Sequence, residues 1–358
     1  MSFFDGWFAG KKPSEKISPA VLNKILDAML ESVIVTGEDT RILSSNQAAY
    51  EAFGRRNGAL DGKRLSEVVR DLNLHEAFRK ALEEGVSSDI ELEIPGIEKR
   101  LYNVRVAPIE IDETKGVIAV FYDVTQIERL ELIRQEFLSN ISHELRTPLT
   151  SILAFVETLE DGAIEDGENN RRFLGVIRKN AQRMHHLIND ILELSTIESG
   201  KIALDIKKVN LAVLVEEVFT NLSGKAAERR VELVNEVSKD IFVSADTVRF
   251  EQMLTNLIDN AVKFNREGGS VVVKHARVET KDVISVADTG EGISGEHLQR
   301  IFERFYRTDR ARSREIGGTG LGLAIVKHLA RLHEGEVSVV SNVGAGATFS
   351  IELPVKSS

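Results

Sequence analysis

The chain contains no cysteine, so disulfides, cysteine–zinc sites and a cysteinyl-flavin photosensor are all excluded, and the composition fits a reducing compartment. Positive charge is also in the minority. Against 56 acidic residues stand 46 basic ones, a formal charge of −10 that gives no general attraction to nucleic acid or an anionic membrane, so any effect on DNA must pass through a partner. No apolar run approaches the roughly 20 residues that a membrane-spanning helix requires, and the opening Met1–Lys12 stretch lacks the apolar core of a signal peptide. A cytoplasmic chain without a transmembrane segment is therefore the expectation. The tail's Phe3, Phe4, Trp7 and Phe8 beside Lys11 and Lys12 leave peripheral membrane contact open, although a frayed terminus is the simpler reading.

What is present argues for a folded, multidomain α+β protein. With 358 residues the chain can bury more than one core, and 42% hydrophobic with 28% charged residues rules out wholesale disorder. The pattern divides it into an N-terminal tail (1–18) and segments 19–126, 127–204 and 205–358. In the first segment Ser32–Thr36 and Arg41–Leu43 alternate around Gly37–Thr40 as a hairpin, Asn46–Phe53 reads as helix, and Arg100–Val106 pairs with Gly116–Asp123. His75 is the one candidate for a bound group there, and a solvated histidine is the better reading. The second segment is strongly helical, broken once at Gly162–Gly167. Its second arm carries Phe173, Val176, Ile177, Met184, Leu187, Ile188, Ile191 and Leu194 at three- and four-residue steps, a stripe suited to bundle packing. Two helices alone bury too little surface, so two hairpins are expected to pair as a dimeric four-helix bundle. His185 and His186 are neighbours on this arm and point apart, which argues against a shared metal.

The first helical arm contains Phe137-Leu-Ser-Asn-Ile-Ser-His-Glu-Leu-Arg-Thr-Pro-Leu-Thr150. Neutral imidazole is a competent nucleophile near pH 7, which makes His143 the candidate nucleophile. Arg146 and Thr147 share its helical face, and Pro148, lacking an N–H for the Glu144 carbonyl, predicts a kink just beyond. A zinc-protease helix would need a second histidine where Thr147 stands.

The third segment alternates helices and strands. Gln252–Phe264 sets Asn256, Asn260 and Lys263 on one helical face, with Met253, Leu254, Leu257, Ile258 and Ala261 opposite. Amide oxygens are hard ligands suited to Mg²⁺, so Asn260 is the metal candidate, with Asn256 in support; a lysine neutralises phosphate. Asp288-Thr-Gly-Glu-Gly-Ile293 follows an apolar run, which places the acid at a strand end beside Gly290 and Gly292, where a backbone can approach a ligand closely. An aspartic protease would need a second such triplet. Phe302–Arg307 precedes Gly317-Gly-Thr-Gly-Leu-Gly-Leu323, where Gly318, Thr319, Gly320, Leu321 and Gly322 lead into a helix and present N–H groups suited to phosphate. The run lacks the Gly-Lys-Ser/Thr ending of a P-loop.

These blocks resemble the phosphoacceptor box and the N, G1, F and G2 boxes of sensor histidine kinases, PhoR-like in flavour, and the first segment resembles a PAS sensor domain. The resemblance implies an α/β PAS domain, an antiparallel dimerisation hairpin and an α/β-sandwich GHKL domain that binds ATP and Mg²⁺. It implies that Asp288 reads adenine, that Arg307 contacts the γ-phosphate, and that Glu144 orients or deprotonates His143. It further implies a homodimer whose phosphoryl group passes to an aspartate of a response regulator with a receiver domain, and, through Glu144-Leu-Arg-Thr147, a phosphatase role for Thr147. ATP-hydrolysing relatives of the gyrase and Hsp90 kind carry a glutamate where this chain has Asn256, and an amide is no general base. The alternatives are such an ATPase, disfavoured by that amide, and a non-enzymatic signalling scaffold, disfavoured by intact Asn260, Asp288 and glycine run.

Overall fold

Alternating burial along short strands builds the N-terminal unit, one of two into which the chain divides, 1–135 and 136–358. The structure is a computed structural model that describes residues 24–54, 59–95, 99–111, 114–200, 202–308 and 318–355. The N-terminal tail and the arginine-rich stretch before Gly318, Gly317 included, lie outside the described residues.

In the first unit, β1 (Ser32–Gly37), β2 (Ile42–Ser45), β3 (Ser88–Ile94), β4 (Arg100–Ile111) and β5 (Thr114–Asp123) form an antiparallel sheet in the order β2-β1-β5-β4-β3. Both expected hairpins are present. Asn46 fixes the first turn of the short helix after β2: its side-chain oxygen accepts from Val33 N–H and Ala49 N–H, while its amide donates to Leu26 and Glu31 carbonyls. Helix α1 (Leu72–Glu84) is capped by Asp71 and ends at left-handed Gly85, and it buries Leu74, Ala77, Phe78 and Ala81 against the sheet. Phe53, Tyr102 and Phe121 fill this core, with ring centroids 5.1 to 6.2 Å apart. Among the described residues the His75 side chain makes a local contact, Nε2 lying 3.1 Å from the Val69 carbonyl.

Helix α2 (Thr125–Glu160) starts where the Asp123 carboxylate accepts from Thr125 N–H and the Thr125 hydroxyl accepts from Leu101 N–H. It runs unbroken through Pro148, so the proline does not end the helix. A turn at left-handed Gly162 leads to α3 (Gly167–Glu198), capped by Asp166. The contacts Phe155–Phe173, Ser151–Asn180 and Glu144–Arg183 run in opposite sequence directions, so the hairpin is antiparallel.

Beyond it, β6 (Ile206–Asn210) pairs with β8 (Phe242–Asp246), and β7 (Glu232–Asn235), β9 (Ser270–Val278), β10 (Lys281–Asp288), β11 (Glu336–Asn342) and β12 (Gly346–Pro354) make a sheet ordered β11-β12-β10-β9-β7. Only the β7–β9 pairing in that sheet is parallel. Helices α4 (Leu211–Glu228), α5 (Thr247–Lys263) and α6 (Gly322–Leu332) share one apolar core with it. The expected core face of α5 is buried throughout, Met253, Leu254, Leu257, Ile258 and Ala261. Leu187 and Leu194 of the stripe on α3, with Ile197 beyond it, join this same core, so the stripe suited to bundle packing also packs the hairpin on the α/β layer.

Candidate functional site

His143 is exposed on α2. The Thr147 hydroxyl donates to its carbonyl at 3.2 Å, and Ser142 and Thr150 bond back to Leu138 and Arg146 in the same way. Glu144 is turned elsewhere. Its Oε2 accepts from the Arg183 guanidinium at 2.8 Å and lies 3.9 Å from that of Arg307. No hydrogen bond joins Glu144 to the His143 ring among the described residues.

On α5, Asn256 and Asn260 lie half-buried on the polar face as expected. Lys263 pairs with Asp259, one turn back, which also accepts from Lys225 at 2.8 Å. Burial would raise the Asp259 carboxyl, but the two lysines outweigh it and hold the pKa below the usual carboxylate value.

Asp288 ends β10. Its Oδ1 accepts from Gly290 N–H at 2.8 Å and Ala347 N–H at 3.2 Å. Burial raises its pKa, only partly offset by those two bonds. Glycine is required at both positions that follow: a Cβ at Gly290 would stand 2.4 Å from the Phe264 carbonyl oxygen, and one at Gly292, whose φ is +71°, 2.1 Å from that of Asn342. Behind Asp288, Gly346 has φ +85° and would place a Cβ 2.0 Å from the Asp288 carbonyl oxygen. The motif reading missed Gly346 and Ala347, because a turn after β11 carries no sign that it folds back on β10.

The glycine run leads into the start of α6 with several of its polar groups engaged. Arg307 donates to the Gly318 carbonyl, and Thr319 donates at 2.6 Å to Asp190 of α3 while accepting from Leu321 N–H at 3.2 Å. Leu321 itself is fully buried in the core, so its side chain packs and does not face a ligand. Gly320, at φ +75°, lies against Phe305, which adopts φ 60° and donates its N–H to the Gly320 carbonyl at 2.9 Å. The Phe305 ring contacts Phe137 of α2, with centroids 5.7 Å apart. At the base of α6, a Cβ on Gly322 would stand 3.3 Å from Asn256 Oδ1, so the amide and the helix start border one small recess.

Sequence reasoning also missed the polar links between α3 and the α/β layer: Glu193 with Arg249 at 2.7 Å, and Glu198 with Arg304 and with His328 at 3.3 Å. Burial lowers the His328 pKa against the pull of Glu198. These charges have no periodicity to betray them.

The half-buried amides suit a small hard cation held mainly by a ligand's phosphates; no cluster of three or more His, Asp or Glu residues that would cage a metal occurs among the described residues. Residues 245–357 match the histidine kinase-, DNA gyrase B- and HSP90-like ATPase family, residues 133–200 the His kinase A phosphoacceptor domain, and residues 26–129 the PAS fold. Sensor protein kinase WalK of Staphylococcus aureus is 32% identical over 338 residues, which cover 93% of this chain and 80% of that protein. The chain belongs to the sensor histidine kinase family. Another relative is sensor histidine kinase WalK of Bacillus subtilis, 34% identical over 343 residues and 94% of this chain. The chain spans 55% of that protein's length, about half. Among solved structures, histidine kinase ThkA in complex with response regulator protein TrrA aligns with 25% identity and a TM-score of 0.52, covering 93% of this chain and 98% of that one. Both members of the sensor histidine kinase pair, acceptor helix and ATPase-like layer, lie here in one compact unit. No described helix is long and apolar enough to cross a membrane.

Proposed function

We propose that the chain is a cytoplasmic sensor histidine kinase that phosphorylates itself on His143 from ATP and passes the phosphoryl group to an aspartate of a response regulator. The observation that carries this reading is the polar path from acceptor helix to phosphate loop: Glu144, next to His143, stands 3.9 Å from Arg307, and Arg307 donates to the Gly318 carbonyl. A ring nitrogen of neutral His143 attacks the γ-phosphorus; the N–P bond forms as the P–O bond to ADP breaks, and the ring's proton passes to a base. Glu144 is that base or its orienter, and to act it must leave Arg183. Asp288 accepts from the adenine amine, and Lys263 and Arg307 balance phosphate charge. Mg²⁺, held by Asn260 with Asn256 in support, would screen the phosphate oxygens. The regulator partner is supported by the ThkA–TrrA neighbour. Leu138, Leu149, Leu153, Ile188 and Leu192 stay exposed on the hairpin, apolar surface that a second copy would cover as a four-helix bundle.

An ATPase of the gyrase kind is disfavoured by Asn256, which has no basic group to activate water. Incubation with γ-labelled ATP tests the proposal. An acid-labile, alkali-stable label on the protein is expected, and His143→Gln should abolish it with ATP affinity within about twofold of the parent. Undiminished labelling of that variant would remove His143 from the mechanism.

A further inference from the structure

Two donors that the glycine run would offer a triphosphate, the Thr319 hydroxyl and the Leu321 N–H, are already engaged, and the hairpin supplies the anion that takes the first. Thr319, in the middle of the run, donates to Asp190 Oδ2 at 2.6 Å across 129 residues of sequence. Asp190 is half-buried on α3. Burial raises its pKa, and the hydrogen bond from Thr319, then His186 and Lys263, pull it back. Lys263 belongs to the polar face of α5 that carries Asn256 and Asn260, so one carboxylate accepts from a hydroxyl of the phosphate loop and feels the charge of that lysine. Glu193, one turn further along α3, instead meets Arg249 at the opening turn of α5, more than a dozen residues before Lys263.

We propose that Asp190 is a positioning residue that acts as an internal competitor of the nucleotide's phosphates, holding the Thr319 loop on the hairpin until a triphosphate displaces it. This rests on the nucleotide-site reading above. Two anions cannot both take the Thr319 hydroxyl, and bringing polyphosphate beside an ionised Asp190 adds like-charge repulsion in a partly desolvated site. Coupling of this kind is reciprocal: whatever Asp190 takes from phosphate affinity, bound phosphate takes from the hold on α3. The competition concerns phosphate alone, since Asp288, the expected adenine contact, makes its bonds to Gly290 and Ala347 and none to the hairpin.

The test compares ATP and adenosine binding by calorimetry with Mg²⁺ for the parent chain, Asp190→Asn and Glu193→Gln. Asp190→Asn should tighten ATP about fivefold or more, the lower end of typical coupling, and leave adenosine within about twofold. Glu193→Gln, which loosens the hairpin contact without removing charge beside the loop, should leave ATP within about twofold. Unchanged ATP affinity in Asp190→Asn overturns the proposal. So does equal tightening of adenosine, which would mark a general structural effect, or equal tightening in Glu193→Gln, which would mark docking as a whole. Asp190→Ser repeats the comparison if the amide variant does not fold. A parent chain that binds neither ligand refutes the nucleotide site itself, an outcome distinct from the other three.

Discussion

Replacing Arg183 with glutamine should speed autophosphorylation while weakening the fold. The Arg183–Glu144 contact is a charge-assisted hydrogen bond of 2.8 Å, with side chains 22% and 27% exposed. Hydrogen bonds to charged groups contribute about 1.5–3 kcal/mol, and solvent reaching a quarter of each side chain reduces that toward about 1 kcal/mol. Loss of the pair should therefore lower Tm by about 2–4 °C for a unit of this size. The same pair holds Glu144 away from the imidazole, and removing about 1 kcal/mol of hold raises the released population, and the rate that depends on it, up to about fivefold. Arg307, 3.9 Å away, remains as a second partner and limits the gain.

Initial rates of labelling from γ-labelled ATP at saturation, with Tm from calorimetry, separate the two effects. In a Glu144→Gln background the Arg183 change should give no acceleration, which isolates the pair from any wider repacking. A labelling rate that falls in step with Tm would show that Arg183 orients Glu144 productively and would refute the argument that it restrains it.

Gly290→Ala should weaken ATP binding at least about tenfold, because its Cβ would stand 2.4 Å from the Phe264 carbonyl oxygen and 2.9 Å from Asp288 Oδ1; equilibrium dialysis showing parental affinity would contradict that geometry. Adenosine affinity should fall with pH through the raised pKa of Asp288: the ionised carboxylate accepts the adenine amine, protonation competes with it, and the loss begins above the ordinary carboxylate value of about 3.9. Calorimetric affinities measured from pH 8 to pH 5 check this, and Asp288→Asn should bind weakly and without that slope. Thr147→Ala should keep most autophosphorylation and lose dephosphorylation of a phosphorylated regulator; if both fall with Tm, the hydroxyl's bond to the His143 carbonyl is its whole role.

Local pattern made much of this readable. Asp288 ends a strand because an apolar run precedes it and two glycines follow, and the faces of α5 separate as its heptad-like spacing requires. Contacts between distant parts of the chain were not readable in the same way. Helix α2 continues through Pro148, where the proline rule anticipates a kink, and there the Thr147 hydroxyl bonds the carbonyl of His143, just ahead of the one the proline leaves unmatched. The glycine run concerns the backbone N–H groups of Leu321 and its neighbours, and the burial of the Leu321 side chain in the core could not be read from it. The resemblance gives Glu144 its place beside the imidazole, and the contacts of its carboxylate with two arginines from distant parts of the chain had no sign in the sequence. Contacts between surfaces leave no period in the sequence.

The magnitudes of those surface contacts decide what each can do. Leu187, Leu194 and Ile197 are buried against the α/β layer, and each such side chain contributes roughly 1.5–3 kcal/mol when fully removed from water. Glu193–Arg249 and Glu198–Arg304 are a quarter or more exposed and each fall near or below about 1 kcal/mol. Apolar burial therefore supplies most of the adhesion between hairpin and layer, and the polar pairs set its register, because a slide of one helical turn would leave each charge beside the wrong partner. A signal that repositions the layer must then either re-cover those three side chains in a second register or leave them open to water. The small polar links are where such a change is cheapest to bias, and Asp190, the one facing the phosphate loop, is where nucleotide can bias it.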